Sequence, residues 1–293
     1  MTQPLEIDIT KWNEARLIPT TGIGGAVEQE NRATSALLAV MVAVKEYSFA
    51  LLKDFKAPSG DIKAFIRPRF DLDDRKVEPD GLIQIRRGSR VWTALVEVKT
   101  GENLLAAPQL EDYLSVAKNY SFDCVITISN EIPAVMGQHP TAVDGRKTRF
   151  IPLHHISWSE VLQTAIIQKD FKGIKDPDQA WILSELIRYL EFEGSGALSF
   201  NDMGSKWVGV RESVEEGTLR VRDKDSEEVA YRFDALLRYA AIRLGSQIGI
   251  DVIPVTSRQE LANPTLRTQA VAAELAKTGH LTGALKIPIR LEL

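Results

Sequence analysis

The stretch PDGLIQIRRGSRVWTALVEVK, residues 79–99, decides how the rest of the chain is read. Two segments rich in aliphatic and β-branched residues, Asp80–Ile85 and Val91–Val98, flank Arg86-Arg87-Gly88-Ser89-Arg90. Runs of this kind joined by a short glycine-containing connection read as the two strands of a β-hairpin. In a hairpin the beginning of the first strand lies beside the end of the second, so Asp80 and Glu97 are neighbours at one end of the sheet. Side chains alternate along a strand, so Glu97 and Lys99 share one face and Val98 takes the other. Two carboxylates and an ammonium therefore converge.

Thr93–Val98 is mostly apolar, which implies burial and makes charged groups there costly unless they serve a purpose. Hard oxygen donors of this kind suit Mg²⁺ or Mn²⁺, which take one or two carboxylates and complete the shell with water and substrate phosphate. An ion so held activates water and stabilises an in-line phosphoryl displacement, while Lys99 orients the water or neutralises developing charge.

Working outward, the segment from Thr20 opens with Gly22, Gly24 and Gly25 and turns helical, with Leu37, Leu38, Met41 and Val44 on one face. Ala64–Phe70 reads as a strand that Pro68 confines to an edge or an end. A helix starting at Pro108 runs to about Asn119, and Phe122–Ser129 reads as a buried strand. Arg149–Leu153 reads as a further strand, and Ser157 and Glu160 form a capping box opening a helix through Ile167. A linker at Lys172–Asp176 precedes a helix from Pro177 to about Phe192, which places a domain boundary between residues 172 and 173. Beyond it, a hairpin of Trp207–Val210 with Leu219–Arg222, helices over Tyr231–Leu244 and Pro264–Lys277, and a closing strand Leu285–Leu291 describe a smaller α+β domain.

The acid–acid–lysine pattern resembles the PD-(D/E)xK nuclease superfamily, and the order helix, strand, strand, strand, helix, strand across residues 26–129 is similar to its core. The resemblance implies a restriction-endonuclease-like α/β fold, a mixed central sheet flanked by helices, over residues 1–172. It implies a metal-dependent nuclease that hydrolyses phosphodiester bonds in DNA and leaves 5′-phosphate and 3′-hydroxyl ends. Asp80, Glu97 and the Val98 carbonyl would hold Mg²⁺ or Mn²⁺. In the family an acidic residue on the first helix often completes the site. Glu30 is preferred to Glu28, because it shares the face of Leu37 and Met41. Gln109 and Tyr113, one helical turn apart, resemble the Q-x-x-x-Y element of RecB-like nucleases, where the pair lines the site. Lys99→Ala is expected to abolish cleavage while leaving folding and metal binding nearly intact.

Composition narrows the alternatives. The 293 residues carry 36 Lys+Arg against 40 Asp+Glu, a formal charge of −4, so nucleic acid would be met through a local basic patch rather than a broad excess. Arg86, Arg87 and Arg90 are the best local patch in the sequence. A single cysteine, Cys124, excludes an internal disulfide scaffold and reads as a small core residue. No apolar run is long enough for a membrane span, and no secretory pattern opens the sequence, so a cytoplasmic protein without membrane contact is expected. Gly22-Ile23-Gly24-Gly25 lacks the Lys-Ser/Thr of a phosphate loop. Adjacent His154 and His155 point to opposite sides of an extended segment. Double-strand cutting with one site per chain would favour a homodimer. The competing reading keeps the fold as an inactive module that binds a partner protein or nucleic acid, with Glu97 and Lys99 an ordinary charged pair and Asp80-Gly81 a turn.

Overall fold

A computed structural model describes residues 12–14, 25–135, 137–197, 200 and 202–288. The chain divides into two compact units, Met1–Glu131 with His139–Leu198, and Ile132–Gln138 with Ser199–Leu293.

The first unit is α/β. Its elements are β1 (Asn13–Glu14), α1 (Ala26–Ala43), α2 (Lys45–Leu52), β2 (Asp61–Ile66), β3 (Phe70–Leu72), β4 (Arg75–Val77), β5 (Gly81–Arg87) and β6 (Arg90–Val98). There follow α3 (Ala107–Asn119), β7 (Cys124–Ser129), α4 (Gly145–Thr148), β8 (Leu153–Ser157), α5 (Trp158–Ile166) and α6 (Pro177–Glu191). The mixed central sheet runs β1-β2-β5-β6-β7-β8; β6, β7 and β8 are parallel and the other pairs antiparallel. β3 and β4 form a separate ribbon. The expected hairpin is β5–β6, with Arg87 paired to Arg90 around Gly88-Ser89. Gly88 has φ 62°, the positive angle that the first central residue of a tight hairpin turn requires.

Each sheet face has its own core. Ile83, Trp92, Val96, Val98, Ile126 and Ile128 pack beneath α1, α2, α5 and α6. Phe65, Leu82, Leu95 and Val125 pack beneath α3, which contributes Leu110, Tyr113, Leu114 and Ala117. On α1, the apolar stripe read from the sequence is buried at Leu37, Leu38, Met41 and Val44. Each such side chain stabilises the fold by about 1.5–3 kcal/mol. Leu38 presses so close to β5 that a Cβ on Gly81 would lie 2.7 Å from its Cδ1. Glycine there lets α1 approach the sheet beside Asp80. The helix breaks at Val44, and the two helical segments meet at 112°. Among the described residues no single helix is long and apolar enough to cross a membrane. Cys124 is buried in β7, and burial, aided by Asp123, pushes its thiol pKa up to about 12.

Several elements differ from the sequence reading. β2 stops at Ile66, before Arg67 turns left-handed at φ 49° and Pro68 ends the pairing, and it lies between β1 and β5. The sheet strand after β7 is Leu153–Ser157 rather than Arg149–Leu153. The Ser157–Glu160 capping box is present, and Asp176 caps α6. The compact units divide after Leu198, not at residues 172 and 173, because Leu183, Leu186 and Leu190 of α6 are buried in the core shared with α1 and α5.

The second unit holds α7 (Trp207–Glu215), α8 (Lys224–Ile248), β9 (Ile253–Pro254), α9 (Arg258–Ala262), α10 (Pro264–Thr278) and β10 (Leu285–Lys286). Trp207–Val210 lies in a helix instead of the expected hairpin, because Trp207, Val210 and Val214, at helical spacing, pack with Val229 and Leu275. Helix α8 runs well beyond Tyr231–Leu244, from its Asp223 cap to Gly249 at φ 76°. The side it buries includes Asp234 and Arg238 rather than Ala240. Asp234 takes two hydrogen bonds from Arg267 of α10, at 2.8 and 2.6 Å. Of the closing strand expected over Leu285–Leu291, Leu285–Lys286 pairs with β9, and residues 289–291 lie outside the described residues, as do Gly22 and Gly24.

Candidate active site

In the β5–β6 register Gly81 faces Val96, and one step further along it Asp80 lies opposite Glu97. Cα atoms so paired are about 4.5–5.5 Å apart. Both carboxylates point to the α3 face, since Leu82 and Leu95, two residues along each strand, belong to the core beneath α3. Like charges opposite one another are destabilising unless something lies between them.

Asp80 is partly buried and its Oδ2 accepts the Val98 N–H at 2.8 Å. Burial, reinforced by the charge of Glu97, raises its pKa well above the ordinary carboxylate range, against the pull of the Val98 N–H and Lys99. Glu97 is 1% exposed, and Lys99 Nζ lies 2.9 Å from its Oε1. That approach makes a buried ion pair.

Lys99 is held at several points. Its N–H donates to Ile128 O at 2.8 Å, and its carbonyl accepts the indole N–H of buried Trp158 at 2.9 Å. Its Nζ stands 3.4 Å from Glu30 Oε2, so Glu97 and Glu30 bracket the ammonium. Burial alone would lower the Lys99 pKa, but Glu97, Asp80 and Glu30 outweigh it and hold it above the ordinary lysine value. Glu30 Oε1 accepts from Asn103 Nδ2 at 2.7 Å, which turns its other oxygen toward Lys99. Glu28 Oε2 is buried without a hydrogen-bond partner among the described residues.

From α3, Gln109 Nε2 donates to Tyr113 Oη at 2.7 Å, and the Tyr113 hydroxyl donates to Glu78 O at 3.4 Å. Burial and the charges of Glu97 and Asp80 raise the Tyr113 pKa, so it stays a neutral phenol. Asp80, Glu97, Lys99 and Glu30 thus come together, with Gln109 and Tyr113 on the α3 side. Arg86, Arg87 and Arg90 do not join them, because they sit at the other end of the hairpin, roughly 20 Å along the strands.

Sequence reasoning missed the supports. A latch secures the loop after Lys99 to α1: Gln29 Nε2 donates to Gly194 O at 2.9 Å, and Thr100 Oγ1 donates to Gln29 Oε1 at 3.3 Å. Gly196, at φ 81°, leaves no room for a Cβ between Gln29 and Thr100. Across the sheet, Glu97 is in register with Thr127, and Thr127 with His155. Thr127 Oγ1 lies 2.8 Å from His155 Nδ1 and 2.9 Å from His139 Nε2. His155 Nε2 is 2.9 Å from Glu131 O, so that nitrogen donates. His154 turns to the other face and stacks on Phe55.

Among the described residues no group of three or more His, Cys, Asp or Glu side chains is gathered around one point as a ready metal cage. The available donors are two carboxylates opposite one another, a set that fits Mg²⁺ or Mn²⁺ better than zinc or calcium, which need more protein ligands. Glu97, with Asp80 opposite and a single ammonium beside it, fits such an ion. Fold and site together define an α/β protein with an acid–acid–lysine cluster at one end of a mixed sheet. No family model, curated protein or solved structure matches the chain.

Proposed function

We propose that this chain is a metal-dependent nuclease with a restriction-endonuclease-like core, hydrolysing phosphodiester bonds in DNA. The observation that carries the reading is Glu97, a carboxylate 1% exposed and directly across the hairpin from Asp80, with the Lys99 ammonium 2.9 Å away. Two acids buried opposite one another repel, and a divalent cation between them would offset that repulsion beyond what the single Lys99 ammonium does. Asp80, Glu97 and the Val98 carbonyl would hold Mg²⁺ or Mn²⁺. When bound, the ion neutralises the two acids, eases deprotonation of water and stabilises negative charge on the phosphoryl group.

Lys99 is positioned to hold the attacking water or the phosphoryl oxygens by donated hydrogen bonds, its ammonium kept charged by Glu97 and Glu30. Glu30, steered by Asn103, keeps that ammonium in place. Gln109 and Tyr113 border the site as neutral donors. The water oxygen bonds to phosphorus, the bond from phosphorus to the 3′-oxygen breaks, and the 3′-oxygen takes up a proton. The products are a 5′-phosphate and a 3′-hydroxyl.

Single-stranded, duplex and branched DNA incubated with Mg²⁺ or Mn²⁺ test the reading. Cutting is expected to require the ion and to fall at least 100-fold in the isosteric variant Glu97→Gln. Equal cutting by Glu97→Gln would remove Glu97 from the mechanism.

A further inference from the structure

Beyond Lys99, the basic groups tied to the carboxylate end of the sheet are not those of the β5–β6 turn. Arg67 and Arg69 flank buried Pro68, between the end of β2 and the start of β3, with 57% and 69% of their side chains exposed. The Arg67 N–H donates to Asp80 O at 3.0 Å, tying this corner to the residue that opens β5. Both guanidinium groups converge on one carboxylate. Arg67 Nε lies 2.6 Å from Glu78 Oε1, and Arg69 Nε lies 2.5 Å from Glu78 Oε2. Glu78 is two residues before Asp80, and its carbonyl accepts the Tyr113 hydroxyl. On the other side of the β3–β4 ribbon, Arg75 pairs with Asp112 of α3, the neighbour of Tyr113. Phe70, Leu72 and Val77 anchor the ribbon in the core beneath α3, so these cations project from a fixed base.

Exposed ion pairs contribute little to stability, about 0–1 kcal/mol each, so holding the fold together is a weak reason for this arrangement. Two guanidinium groups sharing the two oxygens of one tetrahedral or trigonal anion is, however, the geometry in which arginines bind phosphate.

We propose that Arg67 and Arg69 form a phosphate subsite beside the cleavage site, occupied by a neighbouring phosphate of the same DNA strand, and that Glu78 holds this subsite closed by acting as the phosphate's stand-in until substrate displaces it. The inference rests on the nuclease reading and deepens it. The chain selects a substrate with several phosphates in line, and with a net charge of −4 it gains its hold on a polyanion locally rather than over its whole surface.

The test is binding of a fluorescein-labelled 20-nucleotide single-stranded DNA, followed by anisotropy in Ca²⁺ over a series of salt concentrations. Wild type, Arg67→Gln/Arg69→Gln, Arg69→Gln alone and Glu78→Gln are compared, with circular dichroism confirming that each is folded. Loss of the one phosphate held by this pair is expected to weaken binding by about 10- to 100-fold and to reduce the salt slope by about 0.7. Arg69→Gln, the more exposed position, should show roughly half the change in slope. Glu78→Gln is expected to tighten binding, because the competing carboxylate charge is gone. Unchanged affinity and slope in the double variant, weaker binding by Glu78→Gln, or no binding of the strand by wild type would each overturn the subsite. Failure of the underlying nuclease reading shows separately, as wild-type protein that binds the strand but neither takes up Mn²⁺ nor cuts.

Discussion

Lys99→Ala probes the electrostatic balance of the site most sharply. The sequence alone suggests a substitution neutral for folding, but the structure gives Lys99 a structural task. Its side chain is 16% exposed and carries the cation beside Glu97, whose side chain is 1% exposed. Removing one partner of a buried ion pair costs about 3–5 kcal/mol, and the residual water access of Lys99 puts the expectation near 3 kcal/mol. For a unit of this size each kcal/mol moves the melting temperature by about 2–4 °C, so a fall of roughly 6–12 °C is expected in EDTA. A divalent ion replaces the missing charge. At one hundred times its dissociation constant it stabilises by about 2.7 kcal/mol, which returns most of the loss. The stabilisation by Mn²⁺ should be larger in Lys99→Ala than in wild type, where the ammonium repels the incoming cation. Scanning calorimetry with and without Mn²⁺ reads both quantities. A variant that melts like wild type in EDTA, or that gains no more from Mn²⁺ than wild type does, would refute the reasoning.

Three further expectations follow from the same geometry. The folded-state pKa of Asp80 is raised, so the folded chain holds that proton more tightly than the unfolded chain. Metal-free protein should therefore lose stability as pH rises from the ordinary carboxylate pKa through the raised one, and level off above it; the difference between wild type and Asp80→Asn in melting temperature against pH isolates this contribution. Gly81→Ala places a methyl 2.7 Å from Leu38 Cδ1 and should destabilise by about 1–3 kcal/mol, with Leu38→Ala in the same chain relieving part of the clash, as urea titration would read. Asp234→Ala leaves Arg267 only its longer pair with Glu260 and should cost about 3 kcal/mol, whereas Asp234→Leu/Arg267→Met should cost far less; equal losses in denaturant titration would contradict the assignment of that pair as a buried ion pair.

The sheet end that holds the site was legible because its determinants are local. Alternation placed Glu97 and Lys99 on one face, and a short glycine-containing turn brought Asp80 opposite Glu97. Glu30 was legible through helical spacing from Leu37 and Met41. Its partner Asn103 was not, since the contact joins residues 73 apart on a loop without periodicity. Trp158, 59 residues beyond Lys99, and the bond from Gln29 to Gly194, 165 residues away, are invisible for the same reason. An amphipathic pattern announced α6 but could not say which core its leucines would cover, so the boundary was set before it rather than after. At Trp207–Val210 the alternation of Val208, Gly209 and Val210 mimics a strand over four residues, and only the longer spacing to Val214 discloses the helix. The pairing of Arg67 and Arg69 was not legible because a proline separates them and they come together only through Glu78.

The claim that Asp80 and Glu97 form a divalent-cation site is tested most directly by titrating the protein with Mn²⁺ and following free Mn²⁺ by electron paramagnetic resonance. One site per chain is expected in wild type, weakened at least tenfold in Asp80→Asn and competed by Mg²⁺. Folded wild-type protein that leaves all the Mn²⁺ free, or Asp80→Asn that binds it as tightly as wild type, would contradict the site.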